Sequence, residues 1–266
     1  MKSIEHLLLA VPASGNYANS TSYAIRLAKK LSAKITVALV YTCNEELVGQ
    51  IVQSQNALQS QKQAAKTQFR QLGTQLQEAN LDYKLVSIDG PFSNALVVAS
   101  HSYHPDLIIT IADQNLELKQ VIQQVPNHLL LIPSHYNYRP IRLVGLAHNP
   151  QLLPDPQLMN FISQFANEIN TTVEVIEFGQ ECTTESPFSR RANAELDYLF
   201  RNITHRFYLE ECQHELTECI SHYTDNHKVD MIMISGRNTQ AFPAMGQYQP
   251  LIDVITESNV PVMILK

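Results

Sequence analysis

The chain has 266 residues, 44% of them hydrophobic, with a formal charge of −6. That length holds one large domain or two of ordinary size, and so mild an acidity argues against nucleic acid or an anionic membrane as the main partner. No apolar segment approaches the roughly 20 residues that span a bilayer. Four cysteines without a CxxC pair give no disulfide framework. The opening Met1–Pro12 segment has too short an apolar part, and no small-residue cleavage site, for a signal peptide. A soluble cytoplasmic protein is expected. Glycine is scarce, at 8 residues, which bears on any loop that must cradle phosphate.

The apolar run Ile4–Val11 predicts a first strand. The Ser and Asn residues that follow are candidate helix caps. Tyr23, Ala24, Leu27, Ala28 and Leu31 then recur at helical spacing, with Lys29 and Lys30 at the C-terminal end. Ile35–Tyr41 is β-branched and apolar, a second strand. The proline-free stretch 45–78 reads as one long helix or two in series, its stripe set by Leu58, Phe69, Leu72 and Leu76. Leu81–Ile88 is a third strand, and Asp89-Gly-Pro-Phe-Ser turns into a helix reaching about Tyr103. Asp106–Ile111 is an unbroken apolar run behind an aspartate, which reads as a central strand of a parallel sheet. A short helix around 116–124 and the strand His128–Pro133 complete the pass. The order β-α-β-α-β-α-β-α-β implies a doubly wound parallel sheet with helices on both faces.

Ser134–Pro140 is the boundary, and the pattern restarts. Ile141–Ala147 is a strand, and Leu158, Phe161, Ile162, Phe165, Ala166 and Ile169 form a helical stripe. Thr172–Phe178 is the next strand, 181–187 a loop, Arg190–Asn202 a helix and His205–Glu210 a strand. Glu211 to about Tyr223 is helical, Val229–Ile234 is the second central strand behind Asp230, Pro250–Ser258 is a helix and Val260–Leu265 the last strand. Two halves with one element order are an internal duplication: domains at 1–134 and 140–266, each a five-stranded parallel sheet. The closing strands His128–Ile132 and Val260–Leu265 are placed to pair within the chain, covering both edges.

Val86-Ser-Ile-Asp-Gly-Pro-Phe-Ser-Asn-Ala-Leu, followed by Pro105-Asp-Leu-Ile-Ile, resembles the universal stress proteins, as does Val229-Asp-Met-Ile-Met-Ile-Ser-Gly-Arg with its closing Asn259-Val-Pro-Val-Met-Ile-Leu. The resemblance covers nearly the whole chain and implies a tandem member whose halves pack as a pseudo-dimer with an α/β adenine-nucleotide-binding fold. The family's nucleotide-binding branch carries Gly-x2-Gly-x9-Gly-Ser/Thr after the fourth strand, where glycines let backbone N–H groups approach phosphates. It also carries an aspartate at the end of the first strand. Here the second half has Ser235, Asn238 and Tyr248 at the glycine positions, Gln249 at the hydroxyl and Ala147 at the aspartate. Gly236 and Gly246 are near but out of register. The first half has Ile111 and Gln114 at the first two glycine positions, Pro12 at the aspartate, and a shorter segment before its last strand.

Both nucleotide sites are therefore expected to be degenerate, with no cofactor. The residual polar site is Ser235, Gly236, Arg237 and Asn238 at the end of the second half's fourth strand, where Arg237 has the chemistry to pair with a phosphate or carboxylate. The resemblance implies a stress-response or regulatory interaction module, not an enzyme, with an unknown protein partner and a monomeric or homodimeric state. The alternative is a small-molecule or nucleotide sensor using that residual site. No GxSxG elbow and no positioned acid/base pair stands out. Cys212, His214, Cys219 and His222 have zinc-ligand chemistry, but ligands two helical turns apart, about 10 Å, do not share one ion, and no metal is expected.

Overall fold

A computed structural model describes residues 4–13, 17–41, 67–113, 117–148, 153–179, 187–211, 216–235 and 249–266. The first half runs β1 (His6–Pro12), α1 (Ala18–Leu31), β2 (Lys34–Tyr41), α2 (67–78), β3 (Tyr83–Asp89), α3 (Phe92–Tyr103), β4 (Leu107–Ala112), α4 (Leu118–Gln124) and β5 (His128–Pro133). The second runs β6 (Leu143–His148), α5 (Pro156–Ile169), β7 (Thr172–Gly179), α6 (Pro187–Leu199), β8 (His205–Glu211), α7 (Leu216–His227), β9 (Met231–Ser235), α8 (Gln249–Glu257) and β10 (Val262–Leu265). The reading of 45–66 as helix lies outside the described residues.

All ten strands form one sheet, in the order β3-β2-β1-β4-β5-β10-β9-β6-β7-β8. Each half is parallel with the order 3-2-1-4-5, and among the described residues the single antiparallel pair is β5 with β10, where Leu131, Leu130 and Leu129 face Val262, Met263 and Ile264. The central strands β1, β9 and β10 are buried along their whole length, as helices on both faces require. The closing strands thus pair within the chain, as expected, and join the two five-stranded halves into one continuous sheet.

The aspartate before each central strand has a definite task. Asp106 Oδ2 accepts from the backbone N–H groups of Glu5 (2.9 Å) and His6 (3.0 Å). Asp230 Oδ2 accepts from those of Arg142 (2.8 Å) and Leu143 (3.2 Å). Each carboxylate ties the start of its half's first strand to its fourth. Asp106 N–H in turn donates to His6 O, and Asp230 N–H to Leu143 O, both at 2.9 Å. The same clamp in both halves is the clearest structural trace of the duplication.

Local signals explain most boundaries. Asp155 caps α5, its side chain accepting from Gln157 N–H at 2.9 Å, with Pro156 opening the helix. The expected side-chain cap of α1 is not formed: Tyr17 occupies that position without a capping bond. Gly90 sits at φ +129 in the turn between β3 and α3, where an L side chain is strained. Helix α6 starts at Pro187, earlier than its apolar stripe suggests, because proline is well suited to a first helical turn. Strand β8 continues to Glu211, paired with Gly179. Helix α7 accordingly starts later than expected and runs on to His227, whose ring stacks on Tyr223 at 4.5 Å.

The seam between the halves carries a proton-sensitive contact. His128 Nδ1 accepts from Lys266 N–H at 2.9 Å, and its ring centroid lies 4.0 Å from that of Phe161 on α5. Burial lowers its pKa from 6.5 to about 4, with Lys266 adding to the shift and Asp106 opposing it. The unfolded chain therefore takes up this proton at a higher pH than the folded chain. Stability is constant above 6.5 and is lost as pH falls from 6.5 towards 4. We expect His128 to account for about 2 kcal/mol of destabilisation between neutral pH and about pH 5. Urea midpoints at the two pH values should separate less in His128→Gln than in the parent chain.

Candidate functional site

In an open α/β sheet, ligands bind beyond the carboxyl ends of the strands where the strand order reverses. Here those points lie between β1 and β4 in the first half and between β6 and β9 in the second.

The first crevice opens over Pro12 on β1 and Ala112 on β4. Pro12 is buried and brings no side-chain acceptor. The connection from β4 to α4 occupies only 113–117. Glu117 stands at the cap position of α4, and its carboxylate accepts from Ser93 Oγ at 2.9 Å. Ser93 Oγ also lies 3.1 Å from Gln120 Oε1, and it belongs to the first turn of α3. The positive ends of two helices, which would favour an anion, thus already face a carboxylate of the chain itself.

The second crevice is lined differently. Ser235 on β9, His148 on β6 and Glu177 on β7 occupy the ends of three adjacent strands. His148 pairs with Glu177 in the β6–β7 register, and Ser235 follows Ile234, the partner of Ala147. The three side chains therefore share one face of the sheet. They are 7%, 5% and 6% exposed, respectively. His148 Nε2 and Glu177 Oε1 are sealed from solvent without a hydrogen-bond partner. Burial alone lowers the His148 pKa to about 4, so the ring is neutral at physiological pH. A neutral imidazole beside a glutamate offers hydrogen bonds but no positive charge for a phosphate.

Of the four residues read from sequence as the residual site, Ser235 sits at this crevice as expected. Gly236, Arg237 and Asn238, like Tyr248, lie outside the described residues. His148 and Glu177 were not singled out from sequence. A signal was present for His148, the polar last residue of the otherwise apolar β6, but not for Glu177, on a strand that also carries Glu174.

A second buried polar cluster lies on the opposite face. Glu174, 2% exposed, accepts from Tyr223 OH, forms an ion pair with Arg206 Nε and lies 3.3 Å from His227 Nδ1. Tyr208 and Tyr223 flank the His227 ring, with centroids 4.2 and 4.5 Å away. Burial, and then the bond to Glu174, push the Tyr223 phenol far up from its usual range. The cluster borders Gly145, where an added Cβ would meet Ile232 Cδ1 at 2.7 Å, Ile176 Cδ1 at 2.8 Å and Tyr223 Cε1 at 3.1 Å. Close helix-on-sheet packing is the reason for glycine at that position. The arrangement positions α7 on the sheet.

Of the cysteine and histidine group, only Cys219 and His222 lie among the described residues. Cys219 is buried and disulfide-bonded, so its sulfur is no thiolate ligand; Cys212 and His214 lie outside the described residues. The cysteines thus include a bridge that their spacing did not announce. His222 turns instead to the buried Glu210, with Nδ1 2.7 Å from the carboxylate. Among the described residues no group of three or more His, Cys, Asp or Glu side chains is placed to hold a metal ion, and no helix is long and apolar enough to cross a membrane.

No family model and no curated protein matches the sequence. Solved structures do match along its whole length. A universal stress protein from Archaeoglobus fulgidus DSM 4304 is 12% identical, covers 99% of this chain and 97% of its own, and has a TM-score of 0.75. A candidate universal stress protein from Pseudomonas aeruginosa UCBPP-PA14 is also 12% identical, with 98% and 94% covered and a TM-score of 0.62. The cytoplasmic domain of a prokaryotic cation chloride cotransporter, 11% identical, reaches 0.55 over 98% and 95%. At such identities the likeness is one of fold, and it agrees with the repeated strand order, the repeated aspartate clamps and the β5–β10 seam. The chain has the fold of the tandem universal stress proteins, two such halves joined through one ten-stranded sheet.

Proposed function

We propose that this chain is a regulatory interaction module of the stress-response type, acting in the cytoplasm through a protein partner and without the family's ATP site. The observation that carries the reading is the Glu117 carboxylate at the first crevice. Its β4–α4 connection is five residues, 113–117, and it ends in a glutamate bonded to Ser93 of the neighbouring helix. A triphosphate there would meet a fixed negative charge and find few backbone N–H groups to hold it. The second crevice supports the same reading, with Ala147 at the family's aspartate position and a neutral His148 beside Glu177. A fluorescent ATP analogue titrated with magnesium tests it: the expected result is no saturable, ATP-competable signal.

A second reading, a small-molecule sensor, is favoured by one observation. His148 Nε2 and Glu177 Oε1 lack partners at the point where a doubly wound sheet binds ligands. Mass spectrometry of a denatured sample, purified without added nucleotide, would support this reading by releasing a stoichiometric compound lost in Glu177→Gln.

A further inference from the structure

Away from both crevices, a groove of about 460 Å³ runs between α1 and α2, within the roughly 300–1,000 Å³ usual for small-ligand sites. Both helices run opposite to the parallel strands that precede them, so they run in the same direction. Tyr17 and Gln68 therefore mark one end of the groove, and Arg26 and Glu78 the other. Tyr17, Thr21 and Gln68 are among its lining residues, and the Tyr17 OH, Thr21 Oγ1 and Gln68 Oε1 atoms are enclosed without a hydrogen-bond partner. Thr21 is 3% exposed. Buried polar atoms are nearly always satisfied in native proteins, and three orphans around one cavity point to a missing bonding partner.

The rim has a charge pattern that narrows the ligand. Arg26 lies over the Tyr138 ring at 5.0 Å, and no described ion pair joins it or Glu78 to an opposite charge. One fixed positive and one fixed negative group at the same end suit a ligand head with both signs, and Glu78 disfavours a simple anion. Gln71 and Gln75, one turn apart on α2, continue along the wall with amide donors and acceptors. We propose that this groove binds a free α-amino acid with a polar side chain. Its carboxylate lies on Arg26, its ammonium group on Glu78, and its side chain extends along Gln71 towards the Thr21 hydroxyl. Because Arg26 stacks on Tyr138, in the segment joining the halves, occupancy would be felt at the link between them.

Isothermal titration calorimetry of the full chain at neutral pH tests this with three probes: L-glutamine, N-acetyl-L-glutamine and L-glutaminamide. Glutamine should bind saturably, and each blocked form at least ~10-fold more weakly. Arg26→Gln should weaken glutamine by about 10-fold and erase its advantage over glutaminamide; Glu78→Gln should erase its advantage over the acetylated form. Both positions are exposed, so folding is not at stake. Absence of saturable glutamine binding, equal binding of the blocked forms, or binding unchanged in both variants would overturn the proposal.

Discussion

Glu174→Ala is expected to destabilise the chain by about 3 kcal/mol, because it removes the acceptor of a buried cluster and leaves the cluster's donors behind. Glu174 joins β7 to α7 through Tyr223 and to β8 through Arg206. The loss is not shared evenly. The Arg206 side chain is 59% exposed and recovers water when the carboxylate goes, so its ion pair contributes little. The Tyr223 hydroxyl is enclosed and recovers nothing. Tyr223→Phe alone should therefore cost about 1 kcal/mol, and the two changes together less than their sum, since they delete one interaction. Urea unfolding of the parent, both single variants and the double variant measures all four terms. Strict additivity would mean that the contact contributes nothing.

Asp230→Ala is the second such effect, at about 1–2 kcal/mol. One carboxylate oxygen serves two successive backbone N–H groups at the start of β6, those of Arg142 and Leu143. Truncation leaves the half-buried Leu143 N–H poorly matched at the entry to β6, while the exposed Arg142 N–H recovers water. Asp106→Ala should behave alike, since its carboxylate holds Glu5 and His6 in the same way. Asn at either position retains one acceptor oxygen without the charge, and should recover about half of the loss. A markedly different loss at the two positions would contradict the equivalence of the halves.

These aspartates show how far the sequence could be read. Their place before an apolar run was plain, and with it two central strands, the duplication and the parallel order, because strands buried on both faces leave continuous apolar runs. Their role was not legible: it depends on the backbone of residues about a hundred positions earlier, which only the folded register brings near. The β5–β10 pairing was readable because two closing strands each leave an open edge.

The crevices divide in the same way. Pro12 and Ala147 at the aspartate positions, and the shortened first loop, could be read by alignment to a known pattern. Glu117 bonded to Ser93 could not, since the two residues meet only when α3 and α4 pack. His148 and Glu177 were hidden for another reason. Each looks like an ordinary polar residue near the end of a strand, and only burial without a partner sets them apart.

The central claim is that neither half holds ATP in the manner of the nucleotide-binding universal stress proteins. Equilibrium dialysis of the purified chain against labelled ATP with magnesium tests it most directly. The account requires no saturable binding below millimolar ATP, in the parent chain and in Glu117→Gln alike. Stoichiometric binding at micromolar ATP, competed by unlabelled ATP, would contradict it.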